Sequence, residues 1–255
     1  MSEHTHLTGV ILAGGKSERF GGVEALPKPA VLINGIPLVV HAATQLIRAG
    51  CRRIIVLTGA NHVQLQAALA LPSAAGRLTV GPDQSAKITL RFSGNDTATG
   101  GRLAQLSRAE LADGALISYT DVFADCDLTQ LLDLRRDTHA SLAMLAVNPR
   151  QPWGALELQG TRVVDFAEKP IRQDEWINGG IFAADATLLD AIETPQDALE
   201  GPVMARLIAR QSVQALRHTG WWRAVDTTKD RRIAQTDDFA RFDYAPDMRP
   251  QLTPR

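Results

Sequence analysis

The sequence predicts an α/β protein whose core is a doubly wound, mostly parallel sheet. Short, continuous apolar runs bounded by glycine or proline alternate with longer segments in which apolar residues recur at helical spacing. Continuous apolar runs are typical of parallel strands buried on both faces, and the intervening helices cover those faces. With 255 residues, of which 45% are hydrophobic and 22% charged, the chain is long enough to bury such a core.

The first part of the chain shows this alternation most clearly. Residues 8–12 form an apolar run that ends in a glycine pair, which is typical of a buried strand entering a loop. Residues 37–49 begin with proline and carry their apolar residues on one helical stripe, and Gly50 follows as a stop signal. Residues 53–58 predict the next strand and residues 62–71 the next helix.

The rest of the chain continues with shorter elements and one irregular stretch. Residues 72–98 contain several glycines and prolines, and only residues 88–92 predict a strand there. A single domain is expected over residues 7–240, and the proline-containing residues 241–255 predict a flexible, frayed tail. The other predicted elements are helices at residues 103–111, 128–138, 203–210 and 228–239, and strands at 115–119, 141–147, 155–158, 162–166, 180–183 and 213–217.

Composition excludes several classes of protein. The 27 Lys and Arg residues against 28 Asp and Glu leave a net charge of −1, so no general positive field exists for a nucleic-acid backbone. Two cysteines are too few for a disulfide framework or a four-thiolate metal site. No apolar run approaches the roughly 20 residues that span a bilayer, and the first residues lack the pattern of a secretory signal. We therefore expect a cytoplasmic protein with no nucleic-acid and no membrane partner.

The strongest chemical signal is the loop that follows the first predicted strand. In Leu12-Ala13-Gly14-Gly15, successive backbone N–H groups can turn into one concavity that attracts phosphate, and glycine permits a close approach. Arg19 and Lys28 then supply the positive charge that the loop dipoles lack. The spacing fits neither the dinucleotide fingerprint nor the P-loop, and the glycines taken alone would also suit an ordinary turn.

Two aspartates each follow an apolar run. Asp121 and Asp226 would lie at the carboxyl edge of a parallel sheet, where a pair of carboxylates together with substrate phosphates suits Mg²⁺. Asp residues at strand ends are also common turn formers, so spacing alone leaves both interpretations open.

Two later segments carry candidate ligands for a polar substrate. Lys169 lies between Glu168 and a proline, which favours an extended backbone, and Asn178 precedes two glycines with an amide that can bind hydroxyl groups. Gly154 is a weaker candidate for a close backbone approach. A surface lysine and an Asn-Gly hairpin turn are the structural alternatives for these segments.

Eight features spread along the chain form a characteristic set. They are LAGG (12–15), PKP (27–29), TGGRL (99–103), Asp121 after a strand, GALELQG (154–160), EKP (168–170), WINGGIF (176–182) and VDTTKD (225–230). Together they resemble the sugar-1-phosphate nucleotidyltransferase family, and within it the glucose-1-phosphate cytidylyltransferases. The resemblance extends over residues 8–235, and TGGRL with INGGIF is the part that favours the cytidylyl branch.

This resemblance implies a Rossmann-like nucleotidyltransferase fold with a small β-rich insertion that binds the acceptor. Residues 7–150 would form the nucleotide-binding half and residues 151–225 the acceptor-binding half. The implied reaction converts CTP and a sugar 1-phosphate, either glucose 1-phosphate or a relative, into a CDP-sugar and pyrophosphate. Mg²⁺ is the implied cofactor, and a homo-oligomer is the expected assembly.

The resemblance also assigns roles to individual residues. Arg19, Lys28 and Lys169 become catalytic, with Lys28 on the nucleotide and Lys169 on the acceptor phosphate. Arg102 is expected to donate to the O2 or N3 atom of the base. The implied metal ligands are Asp121 and Asp226; the nucleotide-binding residues are Leu12, Ala13, Gly14, Gly15, Lys28, Thr99, Gly101 and Arg102; and the acceptor-binding residues are Gly154, Glu168, Lys169 and Asn178.

The chain departs from the family pattern at two places, and several alternatives stay open. Residues 15–19 read GKSER, and valine and threonine flank Asp121 where the family commonly carries glycine. The alternatives are another nucleotide, an acceptor that is a polyol or aminoalkyl phosphate or phosphonate, and a non-catalytic homologue that binds sugar nucleotides. Guanylyl transfer to the molybdenum cofactor shares the glycine-loop pattern, but EKP and INGG argue against it.

Overall fold

The computed structural model describes residues 7–15, 26–151, 153–172, 174–238 and 250–254. The strands are β1 (Thr8–Ala13), β2 (Leu32–Ile33), β3 (Ile36–Pro37), β4 (Arg53–Thr58), β5 (Ala75–Gly81), β6 (Gln84–Phe92), β7 (Ala115–Tyr119), β8 (Val122–Ala124), β9 (Leu142–Val147), β10 (Ala155–Gln159), β11 (Arg162–Ala167), β12 (Ile177–Ala184), β13 (Val213–His218), β14 (Trp222–Ala224) and β15 (Gln251–Pro254). The α-helices are α1 (Leu38–Arg48), α2 (His62–Ala68), α3 (Thr99–Leu103), α4 (Thr129–Thr138), α5 (Met204–Ala209) and α6 (Thr228–Ile233). None of the helices in these ranges is long and apolar enough to cross a membrane.

Nine strands of the described chain form one sheet, in the order β13-β9-β12-β7-β1-β4-β6-β5-β15. Strands β7, β1, β4 and β6 pair in parallel, as do β9 and β13. Only β5 and β12 run against the other strands of this sheet, because each pairs antiparallel with both of its neighbours. The sheet is therefore mostly parallel, which confirms the predicted fold class.

Strand β1 shows how the sheet comes to be covered on both faces. All of its residues are buried, and successive side chains point to opposite faces. Ile11 and Ala13 belong to the apolar core that includes side chains of α1 and α4. Val10 and Leu12 belong to the second core, which includes side chains of α3 and α5. The continuous apolar run in the sequence thus becomes a strand with two buried faces.

Helix α1 lies within one residue of its predicted bounds at each end. Pro37 precedes it with an extended backbone, at φ −60° and ψ 143°. Residues 38–47 are all buried, so the helix packs closely against the first core. Gly50 lies just beyond its end at φ +102°, a conformation that favours glycine and stops the helix.

The irregular stretch after β4 is more ordered than its sequence indicates. Strands β5 and β6 pair antiparallel over residues 75–92, where only residues 88–92 predict a strand. Polar and glycine residues interrupt the apolar positions of β5, and the pairing shifts register between Thr79 and Gly81. A strand at the edge region of a sheet needs fewer apolar residues than a central one, which makes its signal in the sequence weak.

The helix predicted over residues 103–111 is wrong in its bounds. Helix α3 ends at Leu103, and a separate 3₁₀ turn follows, capped by the reciprocal hydrogen bonds of Ser107 and Glu110. The start of α3 was missed because Gly100 and Gly101 lower helix propensity. Both glycines are needed for packing, since a Cβ on either would meet backbone atoms of residues 195–197 at 2.6 Å or less.

The chain end differs in part from the expected flexible tail over residues 241–255. Strand β15 pairs antiparallel with β5 at the edge of the sheet, and Leu252 packs against the first core. The unpaired N–H and C=O groups of an edge strand readily accept another strand, which explains this pairing. Residues 241–249 lie outside the described ranges.

The strands of residues 151–225, the predicted acceptor-binding half, do not form one unit. Strands β10 and β11 form a hairpin separate from the main sheet, and Leu156, Leu158 and Phe166 on it are each more than half exposed. Strands β12 and β13 instead lie inside the nine-stranded sheet. The β-rich insertion implied by the resemblance is therefore limited to the β10–β11 hairpin.

The docking of α3 generates the first prediction. A Cβ on Gly101 would lie 2.6 Å from the Cα and carbonyl carbon of Pro195, which are backbone atoms and cannot rotate away. Gly101→Ala should therefore lower the free energy of unfolding by about 1–3 kcal/mol, measured as a lower melting temperature by circular dichroism. Gly15→Ala is the matched control, because a Cβ there meets nothing within 4 Å. Equal melting temperatures for the two variants would contradict this packing.

Candidate active site

A cavity of about 520 Å³ opens at the carboxyl ends of β1 and β7. Strand β12 and the β8–β14 pair contribute further walls. The predicted site residues that line it are Leu12, Ala13, Gly14, Gly15, Lys28, Thr99, Arg102, Asp121, Asn178 and Asp226. The remaining lining residues were not in the predicted set; they are Pro29, Tyr119, Thr120, Val122, Glu200, Trp222 and Ala224.

An ion cluster lies within this cavity. Lys28 Nζ donates to Oδ2 of Asp121 and, at 2.6 Å, to Oδ1 of Asp226. The side chains of Lys28 and Asp121 are 17% and 18% exposed, whereas that of Asp226 is 44% exposed. Burial raises the pKa of Asp121, and the adjacent ammonium of Lys28 opposes that shift. One cation thus bridges two carboxylates that are far apart in the sequence.

Backbone pairing explains why the two aspartates meet. Strand β8 begins directly after Asp121, and β14 ends two residues before Asp226. The two strands pair antiparallel with Val122 opposite Ala224. The N–H of Val225 then donates to the carbonyl of Asp121 at 2.8 Å. This short pairing places Asp226 beside Asp121.

Further hydrogen bonds hold the turns around both aspartates. The hydroxyl of Thr120 donates to the carbonyl of Leu12 at 2.8 Å, which ties the end of β7 to the end of β1. A capping box formed by Thr227 and Asp230 starts α6, and Asp230 also accepts from the N–H of Asp226 at 3.2 Å. The threonine that replaces the family's common glycine therefore has a structural partner.

Lys28 is oriented by the prolines on either side of it. Pro27 is extended, with ψ at 146°, and precedes the 3₁₀ turn Lys28–Ala30. Pro29 is buried, and the N–H of Ala30 donates to the carbonyl of Pro27 at 2.8 Å. Because proline fixes φ, the backbone on both sides of Lys28 has little freedom, and its side chain is directed toward the aspartates.

Arg102 lies buried beneath the glycine loop. Its Nη1 donates to the carbonyls of Thr58 and Gly94, at 2.9 and 2.8 Å, and to the hydroxyl of Ser93 at 2.8 Å. Its Nη2 donates to the carbonyl of Gly14 at 3.0 Å. Burial lowers the pKa of this guanidinium from its ordinary value. One side chain thus collects acceptors from the carboxyl ends of β1, β4 and β6.

Packing around the guanidinium of Arg102 also explains why residues 14 and 59 are glycines. A Cβ on Gly14 would overlap the guanidinium of Arg102, and a Cβ on Gly59 would lie 2.5 Å from the carbonyl oxygen of Gly14. Gly14 is therefore required by close packing in addition to any contact with phosphate.

Asn178 reaches the cavity because β12 carries an irregularity. The pairing of β12 with β9 shifts between Asn178 and Phe182, and Gly180 lies there at φ +73°. A Cβ on Gly180 would lie 2.6 Å from the ring of Tyr119, so only glycine fits. Asn178 Oδ1 accepts from the N–H of Gly180 at 2.8 Å. The Asn-Gly-Gly sequence thus makes a strand bulge, not the hairpin turn that was its alternative.

Glu200 and Tyr119 were missed in the sequence. Glu200 Oε2 accepts from the hydroxyl of Thr99 at 2.6 Å, and its Oε1 accepts from the hydroxyl of Tyr119. Burial, followed by the neighbouring Glu200 carboxylate, raises the pKa of Tyr119. Tyr119 ends a predicted strand two residues before Asp121, so its position was a usable signal. Glu200 lies in an irregular segment with no motif to mark it.

A second cavity, of about 400 Å³, adjoins the first. The two cavities share Gly14, Gly15, Thr99 and Arg102. The other residues that line the second cavity are Asn95, Asp96, Thr97, Ala98 and Gln196. Gly101 lines neither cavity and is buried in α3. Thr99 therefore faces both spaces from the first turn of that helix.

Three predicted acceptor-binding residues lie apart from both cavities. Gly154, Glu168 and Lys169 lie together at the base of the β10–β11 hairpin, where Lys169 Nζ is 3.6 Å from Glu168 Oε1. The expectation of an extended Lys169 is wrong, since its φ is +50°. This conformation belongs to the turn in which the carbonyl of Pro170 accepts from the N–H of Gln151 at 2.9 Å. Arg19 lies outside the described residues.

Neither cysteine is activated as a nucleophile. Burial is the main cause that raises the pKa of Cys126 to about 11, and burial also raises that of Cys51. Both thiols are therefore protonated at neutral pH, which agrees with the absence of an activating motif around them in the sequence.

The aspartate pair fits a divalent cation. Its carboxylates already hold one cation, the ammonium of Lys28, between them. Mg²⁺ commonly binds one or two carboxylates and completes its shell with water and substrate phosphates, so a third protein ligand is not required. Within the described ranges, no group of three or more His, Cys, Asp or Glu side chains could hold a metal ion. Asp121 and Asp226 remain the predicted Mg²⁺ ligands.

Comparison with known sequences places the chain among nucleotidyl transferases. The model of the nucleotidyl transferase family matches residues 8–237. The glucose-1-phosphate cytidylyltransferase of Salmonella typhi is 28% identical over 236 residues, which cover 87% of this chain and 92% of that protein. The mannose-1-phosphate guanylyltransferase of Mycobacterium tuberculosis is 26% identical over 232 residues, which cover 87% of this chain and 61% of that protein.

Solved structures share the fold. HddC from Yersinia pseudotuberculosis matches with a TM-score of 0.66 and 18% identity over 90% of this chain and 98% of that chain. The complex of HddC with GMP-PN matches with a TM-score of 0.65 and 19% identity over the same shares. At this identity the likeness shows the fold alone.

The ion cluster generates a prediction about metal binding. Because the ammonium of Lys28 occupies the space between the carboxylates, Lys28→Met should raise the Mn²⁺ affinity of the nucleotide-free protein about ten- to a hundredfold. Isothermal titration calorimetry measures this affinity, and Asp121→Asn in the same background should abolish the gain. Lys87→Met, on the exposed side of β6, is the control for loss of a positive charge. An unchanged Mn²⁺ affinity in Lys28→Met would contradict the prediction that the two aspartates bind a metal ion.

Proposed function

The chain belongs to the nucleotidyl transferase family and is a sugar-phosphate nucleotidyltransferase, and we propose that it uses CTP and a sugar 1-phosphate. The acceptor in this proposal is glucose 1-phosphate or a relative, and the products are a CDP-sugar and pyrophosphate. The observation that carries the proposal is the cluster of Lys28, Asp121 and Asp226 next to the glycine loop in one cavity.

The proposed reaction needs neither a protein nucleophile nor a general base. A phosphate oxygen of the sugar 1-phosphate attacks the α-phosphorus of CTP in line, and pyrophosphate leaves. A phosphate monoester has a second pKa of about 6, so the attacking group is largely dianionic at neutral pH. Catalysis then depends on positioning and on stabilising negative charge.

The residues of the first cavity have distinct tasks in this mechanism. The backbone of Gly14 and Gly15 binds the triphosphate, and Lys28 moves its ammonium from the aspartates to the phosphates when the nucleotide binds. Asp121 and Asp226 would hold Mg²⁺, which would supply positive charge to offset that of the phosphates. Arg19, which follows the glycine pair by four residues in the sequence, is retained as a proposed source of positive charge for the triphosphate.

The nucleoside is proposed to occupy the second cavity, with its base near Asp96. A carboxylate is a good acceptor for the 4-amino group of cytosine, whereas the 4-oxo group of uracil would face it unfavourably. Guanine also presents an amino group and an N–H, and guanylyltransferases are among the relatives. Guanylyl transfer is therefore the second candidate. The match covers 92% of the cytidylyltransferase but only 61% of the guanylyltransferase, which supports CTP as the first candidate.

Arg102 has a different proposed role from the one implied by the resemblance. Both of its Nη atoms already donate to protein acceptors, including the carbonyl of Gly14. We propose that it supports the glycine loop from below and does not donate to the base.

The acceptor is proposed to lie in the part of the first cavity that contains Asn178. Lys169, with Glu168 and Gly154, is retained as the proposed ligand of the acceptor phosphate and sugar. These residues lie on the hairpin outside the cavity, so the hairpin would have to approach the bound acceptor. Polyol and aminoalkyl acceptors remain alternatives. The expected homo-oligomer and cytoplasmic location also remain predictions.

The metal ligands lead to a prediction about turnover. Asp121→Asn and Asp226→Asn should each lower kcat about a hundredfold or more, because each removes a charged ligand from the metal that offsets phosphate charge. Pyrophosphate release under saturating substrates measures kcat. Asp125→Asn, an exposed aspartate outside the first cavity, is the matched control. Near-normal turnover in either site variant would exclude that residue as a ligand.

Nucleotide choice is tested with four NTPs against a panel of sugar 1-phosphates, with pyrophosphate release as the readout. CTP should exceed UTP in kcat/KM by about ten- to a hundredfold, since one mismatched buried group costs about 1–3 kcal/mol. Arg102→Lys should weaken both nucleotides and leave the ratio of their kcat/KM values unchanged. Equal use of CTP and UTP by the unaltered enzyme would refute the cytidylyl proposal. If Arg102→Lys loses the preference for CTP over UTP in kcat/KM, Arg102 contacts the base after all.

A further inference from the structure

Two hydroxyl groups hold the exposed carboxylate of Glu200 in one position. Its Oε2 accepts from the hydroxyl of Thr99 at 2.6 Å and its Oε1 from the hydroxyl of Tyr119. Thr99 in turn accepts from the N–H of Leu199 at 2.8 Å, so both the side chain of Glu200 and the backbone directly before it are tied to α3. Glu200 nevertheless remains exposed, and it lines the first cavity. Three elements therefore fix a carboxylate at the wall of the substrate cavity.

The segment before Glu200 is also locked. Asp197 accepts from the N–H groups of Glu193 and Thr194 and from Arg206 Nη1 at 2.5 Å. The N–H of Gly101 donates to the carbonyl of Asp197 at 3.1 Å. Such bonds hold the backbone on which Glu200 is carried, so the carboxylate is positioned before any substrate arrives.

Hydrogen-bond capacity indicates what this group can bind. An ionised carboxylate has about four acceptor positions, and the two hydroxyls of Thr99 and Tyr119 use two of them. The hydroxyl of Tyr119 donates its one hydrogen to Glu200, so to other groups, the amide of Asn178 included, it can only be an acceptor. Glu200 and Tyr119 together therefore present acceptors without donors. A ligand at this wall must supply hydroxyl or ammonium donors.

The position of Glu200 favours the acceptor over the nucleotide. Glu200 and Tyr119 line the first cavity and not the second, whereas Thr99 lines both. Asn178, the proposed acceptor ligand, lines the first cavity as well, and its amide lies close enough to the Tyr119 hydroxyl to affect that group's pKa. The carboxylate is therefore on the acceptor side of Thr99.

We propose that Glu200, held by Tyr119 and Thr99, is a specificity-determining residue that binds ring hydroxyls of a neutral sugar 1-phosphate. This inference rests on the proposed function and deepens it, because it names the chemical class of the acceptor. A sugar that carries a carboxylate at this wall would be repelled by Glu200 and disfavoured. Adjacent hydroxyl groups of a pyranose ring match the two free acceptor positions of one carboxylate.

The test compares glucose 1-phosphate with its 2-, 3-, 4- and 6-deoxy analogues at saturating CTP. Glu200→Gln keeps the shape and removes the charge, and Tyr119→Phe removes the hydroxyl that holds Glu200. Glu193→Gln is the matched control, since Glu193 lies on the same segment, pairs with Arg206 and lines neither cavity. Thermal melting verifies that every variant is folded. KM and kcat are measured separately for both substrates.

The expected result is a coupling between Glu200 and one or two hydroxyls. Glu200→Gln should lower kcat/KM for glucose 1-phosphate about ten- to a hundredfold, the range expected when a charged hydrogen bond is lost. At least one deoxy analogue should show a similar loss with the unaltered enzyme and little further loss with Glu200→Gln. The KM for CTP should change less than about threefold. Tyr119→Phe should follow the same pattern more weakly, and Glu193→Gln should match the unaltered enzyme.

Several outcomes would overturn the proposal. A raised KM for CTP with an unchanged KM for the sugar would mean that Glu200 binds the nucleotide. An equal loss on glucose 1-phosphate and on all deoxy analogues would mean a structural role only. Preference of the unaltered enzyme for phosphoethanolamine, lost in Glu200→Gln, would mean that the carboxylate binds ammonium.

Failure of the proposed function is distinguishable from failure of this inference. If the proposed function is wrong, the unaltered enzyme will release no pyrophosphate from any pair of NTP and sugar 1-phosphate. Calorimetric titration of glucose 1-phosphate into the unaltered protein and Glu200→Gln then decides the matter. A tenfold or greater loss of affinity in the variant supports the role of Glu200, and equal or undetectable binding in both proteins overturns it.

Discussion

The arrangement of the site depends on one buried guanidinium. Arg102 donates to acceptors at the carboxyl ends of β1, β4 and β6, which are neighbouring strands of the sheet. A buried arginine without partners would be costly, and here carbonyl and hydroxyl oxygens accept from both of its Nη atoms. The guanidinium packs so closely against Gly14 that a Cβ there would overlap it, and Arg102 would have to move. The contact with Arg102 therefore fixes the backbone at Gly14, and this backbone forms part of the cavity wall.

The cluster of Lys28, Asp121 and Asp226 also shows that a buried charged group needs a partner. Asp121 is too buried to carry a charge without a partner, and Lys28 supplies one while also pairing with Asp226. In the proposed reaction the phosphates of the nucleotide would bring negative charge to Lys28, and Mg²⁺ would bring positive charge to the aspartates. Lys28 contacts both carboxylates, so each has a cationic partner although the three side chains together carry a net charge of −1. A divalent cation at the aspartates would offset that remaining charge.

The sequence predicts best those site residues whose position depends on neighbouring residues in the chain. The strand–glycine loop of residues 8–15, the proline-flanked Lys28 and the two strand-end aspartates are all found in one cavity, since each depends on where a strand ends. Contacts made between distant segments were not predictable. Arg102 in TGGRL resembles a ligand in sequence, and only the structure shows that its donors are used by the protein. Glu200 likewise has no motif, because its position depends on how residues 194–203 pack on α3.

Helix α3 links the two substrate spaces, and its glycines make that possible. Gly100 and Gly101 allow the backbone of residues 195–197 to approach the helix at distances that any Cβ would prevent. That approach places Glu200 within reach of Thr99, the one residue at the start of α3 that faces both cavities. At the other end of the same turn, Arg102 supports the glycine loop. A helix of five residues thus touches the triphosphate loop, the proposed base site and the proposed acceptor site. The glycine pair in TGGRL is then a packing requirement, and a larger residue there would disturb both proposed substrate sites together.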